Sequence, residues 1–238
     1  MRRVLLAFGV LAALAVSASA APIVLVDHFS DGDFLIAAKT GSFDNLGPTD
    51  FWGNPMKHTG LKDVIGAGGV PPGERDVTVN IIVATDQFQQ AQVGSHMLAC
   101  SVTSGAQADF ILTYGTYASL GTPLNANAFE STFLGFDVTQ SDQGGTVVVD
   151  LNTWQGFYST PALSIPAGGM YFALPNFSFI GMPQSALSDV DGIKFTFYSS
   201  NQAWDFGVDA IQFTTPEPAT LSLLGLGILA LVRRRRKS

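Results

Sequence analysis

In this 238-residue chain, aromatic rings are the side chains whose spacing points most directly to chemistry. The run Asn152-Thr153-Trp154-Gln155-Gly156-Phe157-Tyr158 gathers three of them in the most loop-like aromatic cluster of the sequence. Flat rings on a loop can pack against the faces of pyranose sugars. Trp154, Phe157 and Tyr158, with Trp52 and Trp204, are therefore candidate sugar contacts. The same rings bury large areas and dominate ordinary β cores. Sequence alone does not say which face they occupy.

The usual catalytic groupings are missing. His28, His58 and His96 are scattered, without a metal-ligand spacing such as His-Glu-x-x-His, and each is expected on the surface or in a loop. There is no Gly-x-Ser-x-Gly, and the glycine stretch 66–69 lacks the Lys-Ser/Thr that cradles phosphate. Acid pairs occur throughout so acidic a chain, so pairing alone does not suggest a glycosidase. Cys100, the one cysteine, excludes an intramolecular disulfide and reads as a small buried hydrophobe in the apolar run 96–102. Asp189-Val190-Asp191-Gly192 offers oxygen donors, but such a run is more simply a turn feeding a strand. The expectation is a protein that is not an enzyme. A secreted hydrolase assembled from distant loops is the alternative.

Charge is distributed unevenly. Arg2, Arg3, Arg233, Arg234, Arg235, Arg236 and Lys237 lie at the ends. Between residues 21 and 215 only Lys39, Lys57, Lys62, Arg75 and Lys194 stand against 18 acids, a net charge of −13. Nucleic-acid binding needs clustered cations to release counterions, so that function class is excluded. Residues 1–20 have the form of a secretory signal peptide: Arg2 and Arg3, an apolar stretch over 4–16, and the small residues Ala18-Ser19-Ala20 before the expected cut. Its partners are the secretion translocase and signal peptidase.

At the other end Pro216-Glu217-Pro218 precedes an uncharged apolar run over 219–232, and then the basic cluster Arg233, Arg234, Arg235, Arg236 and Lys237. The prolines stop a strand and keep the junction extended. A 14-residue helix over 219–232 would be about 21 Å long, short of a hydrocarbon core of roughly 30 Å unless arginines snorkel and the bilayer thins. The positive-inside rule holds the basic cluster in the cytosol as a membrane stop and puts residues 21–215 across the membrane. This tail resembles the PEP-CTERM sorting signal. The resemblance implies an exosortase as processing partner and an exopolysaccharide-producing cell. Pro216, Glu217 and Pro218 are then substrate residues of the sorting step.

Short β-branched and aromatic runs fill the body, separated by Gly, Pro, Asn, Asp and Ser. Strands are expected over 77–84, 97–103, 109–116, 131–139, 146–151, 169–174, 192–198 and 204–213. Residues 142–145 are expected to form a hairpin turn, and 45–73 a long loop. The fold class is all-β, an antiparallel sandwich or jelly roll, as one domain over 21–215 between an N-terminal signal helix and a C-terminal transmembrane helix. The opening Ile23-Val24-Leu25-Val26-Asp27-His28-Phe29-Ser30-Asp31-Gly32-Asp33 is similar to the start of galactose-binding-like jelly rolls, several of them carbohydrate-binding modules. Phe206-Gly207-Val208-Asp209-Ala210-Ile211 is similar to their last strand. That resemblance implies adjacent first and last strands, with Asp27, Asp31, Asp33 and Asp209 as candidate ligands of a structural Ca2+. Ordinary turn and strand-capping acids are the competing reading. Taken together, the sequence reads as an exported, non-enzymatic surface or matrix protein associated with envelope polysaccharide, or as a carbohydrate-binding module.

Overall fold

The computed structural model describes residues 22–30, 34–38, 42–44, 59–61, 73–83, 85, 89–118, 121–199 and 202–215. They form two antiparallel sheets. The first contains β1 (Pro22–Asp27), β2 (Phe34–Ala38), β6 (Gln89–Gly94), β7 (Met97–Ser101), β9 (Phe133–Thr139), β13 (Gly169–Pro175) and β15 (Phe206–Thr214). Its order is β13-β9-β15-β7-β6-β2, with β1 also paired to β15. The second contains β3 (Ser42–Asp44), β4 (Thr59–Leu61), β5 (Gly73–Val83), β8 (Gln107–Gly115), β10 (Gly145–Thr153), β11 (Gly156–Ser159), β12 (Leu163–Ile165) and β14 (Val190–Tyr198). Its order is β11-β10-β14-β8-β5-β3, with β12 on β10 and β4 on β5.

Alternation along the strands explains why two layers form. In β10 every second side chain from Val147 is buried, and β8 buries Ala108, Phe110, Leu112 and Tyr114. The inward rings meet between the sheets: Phe136 of β9 lies edge-on to Phe195 of β14 at 5.0 Å, and Phe110 of β8 to Phe206 of β15 at 5.6 Å. Each fully buried Phe or Leu contributes roughly 1.5–3 kcal/mol, which makes this seam the main source of stability. Cys100 lies in it as expected, and burial pushes its thiol well up.

All eight strands expected from the sequence are present, and adjacent first and last strands are found too, with Asp27 opposite Ile211. The expected hairpin at 142–145 is not. β9 and β10 belong to different sheets, so this loop is a crossover. It is anchored on the segment before β15: Asp205 N–H donates to Asp142 Oδ1, and Gln143 Nε2 donates to the carbonyls of Gln202 and Ala203. Trp204 closes this end of the core, stacked on Phe206 at 4.2 Å with Nε1 donating to Ser141 Oγ. Gly145 lies directly beneath the Trp204 ring, where a Cβ would collide with the indole.

No helix among the described residues is long and apolar enough to cross a membrane. The segments expected to be helical at the two ends, within 1–20 and over 219–232, lie outside the described residues.

Candidate functional site

Of the four residues expected to hold calcium, the structure describes Asp27 and Asp209, and each has other partners. Asp31 and Asp33 lie outside the described residues. Asp27 is fully buried, and both its oxygens face Arg75 of β5 across the gap between the sheets. Arg75 Nη1 donates to them at 2.9 and 2.7 Å, Tyr114 OH at 2.6 Å and the Phe29 backbone N–H at 2.7 Å. The guanidinium sits over the Phe29 ring, 5.0 Å from its centroid. Burial outweighs the attraction of Arg75 and pushes the Asp27 carboxyl up to about 6. A carboxylate so committed to a guanidinium does not suit a dication. Asp209 stands directly opposite Asp137 on β9, whose carboxyl is raised by burial and by Asp209. Among the described residues no three of His, Cys, Asp and Glu gather as a metal site.

The aromatic cluster separates into three fates. Trp204 is core, with none of its surface exposed. Tyr158 stands opposite Leu151, whose side chain is buried, and packs against the core. Period-2 alternation sends its neighbour the other way: Phe157 is 72% exposed and stands opposite Asn152 on the outer face. Trp154, in the tight turn between β10 and β11, is 58% exposed. Its Nε1 donates to the Ser185 carbonyl and to Ser188 Oγ at 3.3 and 3.1 Å, and Gln155 Nε2 donates to Ser185 Oγ at 3.0 Å. The indole is thus fixed by the 3-10 turn Gln184–Ser188 while much of it faces water. Trp52 lies outside the described residues.

Sequence reasoning missed the side chains around Phe157. Its ring meets Tyr117 edge-on at 6.3 Å. Lys194 of β14 lies over the Tyr117 ring at 5.3 Å and pairs with Asp150 of β10 at 2.7 Å. Ser159 Oγ donates to Asp150, and Asn152 Nδ2 donates to Thr116 Oγ1 at 2.6 Å. Burial and the Asp150 charge push the Tyr117 phenol up to about 12, so it stays a neutral donor. The alternation of β10 and β14 placed Asp150 and Lys194 on polar faces. Their partnership depends on the register of strands more than 40 residues apart, which no local pattern encodes.

The resulting surface is a hairpin with two exposed rings beside a row of hydroxyl, carboxylate, ammonium and amide groups. It can stack on an apolar face and exchange hydrogen bonds around its edge. His28 and His96 are exposed, as expected, and His58 lies outside the described residues.

Residues 214–237 match the PEP-CTERM protein-sorting motif. The match contains Pro216, Glu217, Pro218 and the basic residues Arg233, Arg234, Arg235, Arg236 and Lys237; from residue 216 onward it lies outside the described residues. The motif implies an exported, cell-surface protein processed by an exosortase. Among solved structures the chain is similar to a family 11 carbohydrate-binding module from Clostridium thermocellum. That likeness has 14% identity, covers 83% of this chain and 98% of that one, and has a TM-score of 0.36. A family 29 carbohydrate-binding module is similar at 11% identity over 58% of this chain and 90% of its own, TM-score 0.33. The agarase AgWH50C is similar at 10% identity over 58% of this chain and 24% of its own, TM-score 0.38. These are distant likenesses, and the fold rests on the strand register itself. No curated protein matches the chain.

Proposed function

We propose that this is a non-enzymatic protein of the cell surface or extracellular matrix, delivered by its PEP-CTERM tail and associated there with exopolysaccharide. In this reading the precursor is led out by residues 1–20, held in the membrane by 219–232, and released from the basic stop when the exosortase acts near Pro216, Glu217 and Pro218. The observation that carries the glycan association is the β10–β11 hairpin, where exposed Phe157 and hydrogen-bonded Trp154 stand beside the polar side chains of Asn152, Asp150 and Lys194. Large exposed rings fixed in place lose little conformational freedom on binding, which favours recognition over mere exposure.

The test is fractionation of the producing cells. The mature protein should co-purify with the surface or matrix polysaccharide, and mass spectrometry should find its tail trimmed near residue 216. Full-length, untrimmed protein in the cytosol would refute the delivery route. A trimmed protein that leaves the polysaccharide on gentle washing would refute the association.

A further inference from the structure

We infer that the outer face around Phe157 selects a neutral, hydroxyl-rich glycan over a polyanionic one; this deepens, and rests on, the reading of polysaccharide association. Register aligns Ser159, Asp150, Lys194 and Thr113 in one row across β11, β10, β14 and β8, with Asn152 and Phe157 side by side in the next. Three strand spacings make the row about 14 Å long, enough to meet more than one sugar ring. Phe157 and Tyr117 supply the apolar stacking surface at one end. The row supplies an ammonium donor, a carboxylate acceptor and hydroxyls, and Asn152 beside it an amide, a balanced set for sugar hydroxyls, each of which both donates and accepts.

Charge decides the class. Among the described residues the Lys and Arg side chains are Arg75, sealed in the core with Asp27, and Lys194, paired with Asp150. Recognition of carboxylate, sulfate or phosphate calls for uncommitted cations, preferably a guanidinium fork. None is offered on this face among the described residues. Asp189 and Asp191 border it: Trp154 N–H donates to the Asp189 carbonyl at 3.2 Å, and the Asp191 carboxyl is raised by burial and by Asp189. The net charge of −13 over residues 21–215 adds a long-range repulsion against any polyanion.

Affinity electrophoresis of the full chain, in a mild non-ionic detergent, tests this. The gels contain a neutral glucan, galactan or mannan, a polyuronate, or the producing cells' own matrix polymer. Retardation by at least one neutral polymer is expected, nearly independent of salt, with none by the polyuronate. Phe157→Ala and Asn152→Ala should each weaken it by roughly tenfold, as truncation of an anchoring contact does, without moving the urea midpoint; Phe157→Tyr should keep it. Retardation by the polyuronate as strong as by any neutral polymer overturns the inference and leaves glycan association standing. Binding of a neutral polymer unaffected by both alanine variants overturns the placement on this face. No retardation in any gel overturns the association itself.

Discussion

Asp27–Arg75 and Asp150–Lys194 close at the same 2.7 Å and are built from matching parts. Each has a cation above an aromatic ring, Phe29 in one case and Tyr117 in the other, and a hydroxyl donating to the carboxylate. Their surroundings differ. The first pair spans the sandwich interior with both side chains fully buried, whereas Lys194 and Asp150 keep 33% and 15% of their side-chain surface. Inside, the charges are shielded from water and depend on protein partners, so the pair fixes β1 against β5 and β8 at a high desolvation cost. Outside, water can replace either partner, so the pair holds little stability and remains free to trade its hydrogen bonds for those of a ligand. Residue type sets what an ion pair can do; burial decides whether it serves the fold or the surface.

The largest effect that can break this contrast is on the inner pair. Arg75→Met leaves Asp27 and Tyr114 without their cation and should cost about 3–5 kcal/mol in urea unfolding at pH 7. The double variant Asp27→Leu with Arg75→Met should recover most of that loss, because the desolvation cost leaves with the charges. If the single variant were as mild as a surface change, the inner pair would not be a structural bolt.

Next in size is the response to pH. Asp27 titrates at about 6 in the fold against an ordinary 3.8, and Asp109, Asp137 and Asp191 are raised as well. Between those values the native state binds more protons than the unfolded chain, so stability rises as pH falls from about 6 towards 4. Thermal melting should therefore move upward on going from pH 7 to pH 5, with Asp27 contributing most. A melting temperature that falls steadily over that interval would contradict the assignment.

The outer pair should give the smallest changes in stability. Lys194→Ala is expected to cost less than about 1 kcal/mol, and Phe157→Ala to stay within about 0.5 kcal/mol of the wild type. Both are read by the same urea titration.

How much of this was legible depends on what each feature requires. The strands over 77–84 and 146–151 announce themselves because β-branched residues run between Gly, Pro and Asp boundaries. β6 does not: Gln89-Gln90-Ala91-Gln92 alternates correctly but lacks β-forming side chains. The loop 142–145 has the composition of a hairpin turn, yet its strands pair elsewhere, since local sequence encodes a turn and not a partner. Phe157 and Trp154 were identifiable as a cluster, and alternation then separated exposed Phe157 from inward-facing Tyr158. Asp27 and Arg75 are 48 residues apart and meet only once both sheets close.

The most direct test places Arg75→Met and Phe157→Ala side by side, measuring unfolding free energy and retention by neutral polysaccharide on each full chain. The account requires a crossed outcome: the first loses stability but, while folded, keeps its retention, and the second loses retention but keeps its stability. A Phe157→Ala chain that unfolds early, or an Arg75→Met chain as stable as the wild type, would contradict it.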